Sequence, residues 1–126
     1  MDNIRTIDIE DALQNALNNA GITASAPPVP ANLEPCVYVH RTGGYGLNYV
    51  QDLHTIDFDT YETTEAASMQ TACELTEWVR ALAGKSLGVP VYIAEITTLP
   101  YYNPDPNHPS LKRTTFSAQI TTRVEH

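Results

Sequence analysis

Asp57 and Asp59, two aspartates with one residue between them, are the side chains of this chain best placed for acid–base chemistry. They lie in a segment that alternates like a β-strand, so both carboxylates point to one face of that strand. Two carboxylates in a cleft can act as general acid and general base. The same alternation places His54, Ile56 and Phe58 on the opposite face. The pair is therefore either a solvated strand surface or the acid–base pair of a small enzyme that also uses His54.

The spacing of the other residues does not indicate a metal or cofactor site. Zinc ligands usually follow recognisable local spacings, and neither H-x-x-x-H, C-x-x-C nor H-E-x-x-H occurs. The stretch Thr42–Gly46 is rich in glycine but lacks the G-x-G-x-x-G pattern of a dinucleotide-binding turn. We therefore predict no metal site, no cofactor and, as the first choice, no enzymatic activity.

Cys36 and Cys73 are the two cysteines of the chain. The first falls in a predicted strand and the second in a predicted helix, both at positions predicted to face inward. The N-terminus has no basic region followed by an apolar run, so we expect no secretory signal. Disulfides are rare in proteins that remain in the cytoplasm. The prediction is two reduced, buried thiols.

The composition is acidic and typical of a folded protein. The chain has 126 residues, a formal net charge of −8 and a hydrophobic fraction of 42%, which predict one domain over residues 1–126. No apolar run is long enough to span a bilayer. No lysine or arginine lies between Arg41 and Arg80, whereas seven aspartates and glutamates do. Tight DNA binding needs clustered basic residues, so nucleic acid is not expected as a tight ligand. The stretch is either an ordinary acidic, soluble surface or a surface that must repel DNA passing close by.

Periodicity predicts six elements in the order α-β-β-α-β-β. The predicted helices are 7–20 and 63–83, and the predicted strands are 36–41, 49–61, 89–98 and 113–125. Residues 23–35 are predicted to be an extended connector and Thr42–Gly46 a turn. These elements favour an α+β two-layer sandwich, with a mainly antiparallel four-stranded sheet packed by helices.

A proline-rich loop is predicted over Leu99–Leu111, which holds four of the nine prolines and two adjacent tyrosines. Proline limits disorder, and tyrosine is enriched at protein interfaces. We predict that four tyrosines in loops and turns contact a partner protein: Tyr45, Tyr49, Tyr101 and Tyr102.

Four features along the chain together resemble a known family. They are the N-terminal helix, the strand Pro35-Cys36-Val37-Tyr38-Val39, the acidic strand 56–62 that runs into a helix, and Pro104-Asp105-Pro106 shortly before a strand that ends Thr121-Thr122-Arg123-Val124. In this order they resemble the tail terminator, or tail-completion, proteins of bacteriophages with long non-contractile tails. The resemblance covers most of the chain.

The resemblance implies an α+β protein that forms a hexameric ring, caps the tail tube, ends its polymerisation and joins the tail to the head. The implied partners are further copies of itself, the major tail tube protein and the head-side connector or stopper protein, with DNA passing through the lumen without specific binding. The implied location is the head–tail junction of the virion, after assembly in the host cytoplasm. The family has no catalytic residues to carry over.

The stretch between Arg41 and Arg80, which contains no lysine or arginine, supplies the candidates for an acidic lumen. We predict that some of the following line it: Asp52, Asp57, Asp59, Glu62 and Glu65. Two other functions stay open, namely a small α+β enzyme that uses Asp57 or Asp59 with His54, and an adaptor module that forms no ring.

Overall fold

The computed structural model describes residues 4–26 and 33–125 and shows one five-stranded sheet with two helices. The helices are α1 (Ile9–Asn19) and α2 (Glu65–Arg80); the strands are β1 (Ala24–Ser25), β2 (Cys36–Gly46), β3 (Gln51–Glu62), β4 (Val91–Tyr102) and β5 (Lys112–Arg123). The strand order is β1-β2-β3-β5-β4. The predicted α+β class is confirmed.

Both helices begin at a capping side chain. The Asp8 carboxylate accepts a hydrogen bond from the Asp11 N–H at 3.2 Å, and the Thr64 hydroxyl accepts one from the Ala67 N–H at 3.1 Å. Each cap satisfies one of the N–H groups that a helix start leaves unpaired. α1 therefore starts two residues later than its apolar pattern predicts, because Asp8 serves as the cap.

The four long strands are antiparallel to their neighbours, and their two faces differ. One face packs against the helices and carries the core, where the rings of Phe58 and Phe116 stack with centroids 4.9 Å apart. His54 and Ile56 are buried on this face, as the alternation predicts. No described helix packs on the other face, which we call the open face. It carries the strand residues that alternate with the core residues, among them Tyr38, His40, Asp57, Asp59, Thr115 and Ser117.

The sheet has a fifth strand that the sequence pattern misses. β1 lies in the predicted connector and pairs in parallel with Val37 and Tyr38. The sheet is therefore five-stranded and mixed, whereas the prediction was a four-stranded, mainly antiparallel sheet. A two-residue strand is too short to show periodicity. It is held in place by side chains, since the Ala24 N–H donates to Asn18 Oδ1 at 2.9 Å. Residues 27–32 of the predicted connector lie outside the described residues.

The predicted turn at Thr42–Gly46 is wrong, because β2 continues through it to Gly46 after a bulge between Arg41 and Gly43. Gly44 is required there: its φ is +137°, and a Cβ at this position would collide with the Leu53 carbonyl oxygen. The chain reverses further on, at residues 47–50. There the Asn48 side chain accepts a hydrogen bond from the Val50 N–H at 2.9 Å.

The predicted loop also begins too early. β4 continues through Pro100 to Tyr102, so Tyr101 and Tyr102 are strand residues. β4 is an edge strand, where the missing N–H of a proline need not cost a ladder hydrogen bond. The connection to β5 is therefore residues 103–111, which we call the 103–111 loop.

The prediction of two buried thiols is wrong for Cys73 and only partly right for Cys36. Cys73 is exposed, because α2 packs through Ser68, Ala72, Leu75 and Val79, and Cys73 lies beside that stripe. Cys36 is half-buried, and burial raises the pKa of its thiol to about 11, with a smaller contribution from Glu62. A thiol with so high a pKa is mostly protonated and weakly nucleophilic at neutral pH.

Candidate functional site

Two carboxylates lie next to each other at the centre of the open face. The Ser117 hydroxyl donates to Asp57 Oδ1 and the Thr115 hydroxyl donates to Asp59 Oδ1, both at 2.6 Å. Asn103 extends this chain of contacts, since its Nδ2 donates to Thr115 Oγ1 at 3.1 Å. The carboxylates are thus held in fixed positions by the neighbouring strand β5.

The surroundings of Asp59 raise the pKa of its carboxyl. Burial raises the pKa of its carboxyl above the ordinary value of 3.8, while the hydrogen bond from Thr115 and the charge of Arg113 oppose that rise in part. Asp57 adds to the increase because two negative charges on one face repel each other. The folded protein therefore binds a proton at Asp59 more tightly than the unfolded chain does.

Asp59→Asn is expected to raise the free energy of unfolding at pH 7. The ionised carboxylate disfavours the fold above its raised pKa, whereas below pH 3.8 both states are protonated and the advantage of the variant disappears. Urea titrations at pH 7 and pH 3 measure this difference. Asp57→Asn is the matched control two residues away: each carboxylate accepts a hydroxyl hydrogen bond at 2.6 Å, so the difference between the two variants reports the burial of Asp59. A less stable Asp59→Asn at pH 7 would contradict the prediction.

His54 lies on the other side of the sheet from these carboxylates. It is fully buried on the helix-covered face, where Arg41 Nε donates to its Nδ1 at 3.2 Å and its Nε2 lies 3.1 Å from Thr122 Oγ1. Burial and the Arg41 charge lower its pKa to about 4. The structure therefore does not bring His54 together with Asp57 or Asp59, and the constellation of the enzyme hypothesis is absent from the described residues.

A cluster around Asp105 connects the 103–111 loop to the sheet. The Asp105 carboxylate accepts from the Tyr61 hydroxyl at 2.9 Å and from the Asn107 N–H at 2.9 Å, and lies 2.8 Å from His108 Nδ1. Arg113 Nη1 lies 3.7 Å from the same carboxylate. We call these residues the Asp105 cluster. It closes one end of the open face, above a small apolar core of Tyr38, Tyr61 and Leu111.

The electrostatics of the Asp105 cluster favour the ionised carboxylate. Burial alone would raise the pKa of Asp105, but the hydrogen bonds from His108, Asn107 and Tyr61 outweigh burial and lower it. Burial also raises the pKa of Tyr61, so its hydroxyl remains a donor. The sequence pattern did not predict this cluster, although Pro104-Asp105-Pro106 is one of the four features of the family resemblance. The signal that could have found it is an aspartate between two prolines, a position where a carboxylate often bonds local backbone.

The five predicted lumen residues do not share one surface. Asp57 and Asp59 lie on the open face. Asp52 is buried on the opposite face, with its Oδ2 unpaired among the described residues. Glu62 faces α2 and accepts a hydrogen bond from the Thr71 hydroxyl at 3.1 Å, and Glu65 is exposed at the start of α2. The set that remains together is the pair Asp57 and Asp59.

The four predicted interface tyrosines fall into two separate pairs. Tyr45 and Tyr49 lie at the end of the sheet formed by the β2–β3 connection, where they are 62% and 83% exposed. Tyr101 and Tyr102 lie at the other end, beside Thr115 and Thr114 of β5. Tyr101 is exposed on the open face, whereas Tyr102 is half-buried. One partner surface cannot use all four unless it spans the length of the strands.

Within residues 4–26 and 33–125, no group of three or more His, Cys, Asp or Glu side chains is arranged to hold a metal ion. None of the helices there is long and apolar enough to cross a membrane.

No protein-family model matches this chain, and no curated protein matches it.

Proposed function

We propose that this chain is a structural virion protein that caps a phage tail tube as a hexameric ring, ends polymerisation of the tube and joins the tail to the head connector. Its partners are neighbouring copies of the same chain, the major tail tube protein and the head-side connector or stopper protein. It assembles in the host cytoplasm and stays at the head–tail junction of the virion. DNA passes through the lumen without specific binding.

The observation that carries this proposal is the acidic centre of the open face. Asp57, Asp59 and Glu95 lie on this face, whereas its two arginines, Arg113 and Arg123, lie at the ends of β5. Negative side chains repel the phosphates of DNA, so a lumen lined by this face would let DNA slide without adhering. The hydroxyls of Thr115 and Ser117 keep two of these carboxylates in place.

The 103–111 loop supports a role in protein contact. The Asp105 cluster fixes the loop from below, while Pro104, Pro106 and Pro109 remain exposed on its outer side. A surface that is rigid before binding loses less conformational entropy when a partner docks. This favours a structural protein with a preformed docking element.

Electron microscopy of phage particles made without this protein tests the proposed role. Overlong tails or heads without tails are expected, because nothing would end the tube or join it to the head. Particles of normal appearance would contradict the proposal.

Charge reversal on the open face gives a second test. Asp57→Lys is expected to make the assembled ring retain DNA, with an apparent dissociation constant of about 10⁻⁵ M at physiological salt that weakens as salt rises. Glu74→Lys, at an exposed position of α2, is the matched control with the same change in charge. Electrophoretic mobility of linear DNA with each ring measures the difference. Equal retention by the two variants would contradict the placement of the open face in the lumen.

A second candidate is an adaptor that forms no ring, which the strongly exposed Tyr45 and Tyr49 also favour. Light scattering of the purified chain separates the two. A hexamer supports the ring and excludes the adaptor.

A further inference from the structure

Two strand edges of the sheet are unpaired within the described residues. β4 pairs with β5 on one side; on its other side the Val91 backbone bonds Gly84 and Lys85, and the edge from Tyr92 to Tyr102 has no strand neighbour among the described residues. β2 is covered on its outer side by β1 at Val37 and Tyr38, which leaves the edge from Val39 to Gly46 without a strand. The Glu10 carboxylate accepts from the Arg41 N–H at 2.7 Å and satisfies one donor of that edge. Unpaired strand edges are templates for pairing with another chain.

The two edges have opposite shapes. β4 carries bulky exposed side chains, among them Tyr92 and Ile93, which are 42% and 49% exposed. The free edge of β2 instead carries Gly43, Gly44 and Gly46. Gly44 is required by the fold, but a Cβ at Gly43 would meet nothing within 4 Å and one at Gly46 would make an ordinary contact. Glycine within a strand marks a bulge or the close approach of another backbone, and Gly46 lies outside the bulge between Arg41 and Gly43.

We propose that the edge of β4 in one copy pairs with the free edge of β2, residues 41–46, in a second copy of this chain. The inference rests on the proposed ring and names the surfaces that close it. β2 runs antiparallel to β3, β3 to β5 and β5 to β4, so β4 runs opposite to β2. Rotation about an axis along the strands preserves these directions. A cyclic ring therefore brings β4 and the next β2 together antiparallel, which continues the pattern of the sheet.

We take the ring axis to run along the strands, and this choice sets the register of the contact. A closed ring has no rise from one copy to the next, so residues at the same height must meet. Four paired residues form one row across the sheet and therefore lie at one height: Tyr45 of β2, Leu53 of β3, Thr121 of β5 and Ile93 of β4. Ile93 of one copy therefore lies opposite Tyr45 of the next, and these rows join into an apolar belt around the ring. The next position on this face places Glu95 opposite Gly43, near His40.

Homotypic pairing of two β4 edges is less favourable. It would place bulky side chains against bulky ones and bring two Glu95 carboxylates to the same central region, and like charges across strands are destabilising. Pairing of β4 with β2 places bulky against small side chains and keeps the Glu95 carboxylates apart, each of them near His40 on the open face. Both shape and charge therefore favour the head-to-tail contact.

Disulfide trapping with two separately purified chains tests the contact. In a background of Cys36→Ala and Cys73→Ser, one chain carries Tyr45→Cys and a second, longer by a tag, carries Ile93→Cys. Directly opposed residues of antiparallel strands have Cβ atoms about 5 Å apart, close enough for a disulfide to form with small movements. Oxidation of the mixture is expected to give a heterodimer band on non-reducing gels. Circular dichroism of each chain confirms that it folds.

Leu99→Cys replaces Ile93→Cys as the matched control. Leu99 lies on the same edge and is 68% exposed, but it is six residues further along, about 20 Å in a strand. It should form no heterodimer with Tyr45→Cys. Equal trapping at Leu99, trapping of Ile93→Cys with itself in preference to Tyr45→Cys, or no trapping at the highest soluble concentration would each overturn the inference.

The outcomes for the ring and for the edges can be told apart. Hexameric rings seen by electron microscopy without a Tyr45–Ile93 cross-link would leave the ring and overturn the edge contact. A cross-link in open fibres without rings would leave the edge contact and overturn the ring, because a head-to-tail interface that does not close gives filaments.

Discussion

Asp105→Ala is expected to lower the free energy of unfolding by about 3 kcal/mol and to release the 103–111 loop. The substitution removes the carboxylate that the Tyr61 hydroxyl, the Asn107 N–H and His108 share. It also removes the negative charge that faces the Arg113 guanidinium at 3.7 Å. Hydrogen bonds to a charged group contribute about 1.5–3 kcal/mol each, and buried donors left unpaired are costly. Urea denaturation of the variant and the natural chain measures the loss.

Asn107→Ala is the control within the same loop. The side chain of Asn107 is exposed, and its backbone N–H, which alanine retains, makes the contact with Asp105. Its effect should stay within about 0.5 kcal/mol, as for most surface substitutions. Equal losses for Asp105→Ala and Asn107→Ala would show that the Asp105 cluster does not stabilise the loop.

Tyr61→Phe tests whether Asp105→Ala loses stability through the hydrogen bonds of the Asp105 cluster or through a general loss of packing. Alone it removes the hydroxyl that donates to the ionised carboxylate and should cost about 2 kcal/mol. Added to Asp105→Ala it should cost much less, because the partner of that hydroxyl is already gone. Hydrogen exchange adds a local readout, since the Asn103 N–H bonds the Arg113 carbonyl and the Leu111 N–H bonds the His108 carbonyl. Both amides should exchange faster in Asp105→Ala than in the natural chain.

The long strands could be predicted from the sequence because one side of each is buried. His54, Ile56 and Phe58 alternate with Thr55, Asp57 and Asp59, and the structure places the two sets on opposite faces. The separation of His54 from the carboxylates follows from that alternation alone. Local periodicity therefore determined which face of the sheet would be acidic.

The features that were missed depend on contacts between distant residues. The extension of β2 through Gly44 depends on the close approach of Leu53, and the course of the chain through Pro100 depends on β4 being an edge strand. The Asp105 cluster joins Tyr61 to Asp105 across 44 positions of sequence. Single-sequence periodicity reports which face a residue takes within its own element. It does not report which elements become neighbours, and these misses all concern neighbours.

Lowering the pH from 6.5 to about 4 is expected to remove about 3 kcal/mol from the free energy of unfolding through His54 alone. The folded pKa of His54 is about 4, against 6.5 for the unfolded chain. Between these values the unfolded chain binds a proton that the folded protein does not, so stability falls as pH falls. Each unit of difference in pKa corresponds to about 1.4 kcal/mol. Above pH 6.5 the imidazole is neutral in both states, and this contribution to the pH dependence ends.

The hydrogen bonds of His54 explain why protonation is unfavourable. Arg41 Nε–H donates to Nδ1, so Nδ1 has to be the unprotonated acceptor and Nε2 carries the proton toward Thr122. A second proton would turn Nδ1 into a donor facing another donor, beside the positive charge of Arg41. Asp52 lies near enough to favour protonation, but burial and Arg41 outweigh it.

His54→Gln tests this assignment, because glutamine does not titrate yet still offers an oxygen acceptor and an N–H donor. Urea denaturation from pH 7 to pH 4 should show a much flatter decline for this variant, whatever its stability at pH 7. His40→Gln, at an exposed histidine of the open face, should keep the decline of the natural chain. If instead His40→Gln flattens the curve and His54→Gln does not, the titrating group lies on the open face. That outcome would place the pH effect on the open face rather than in the core.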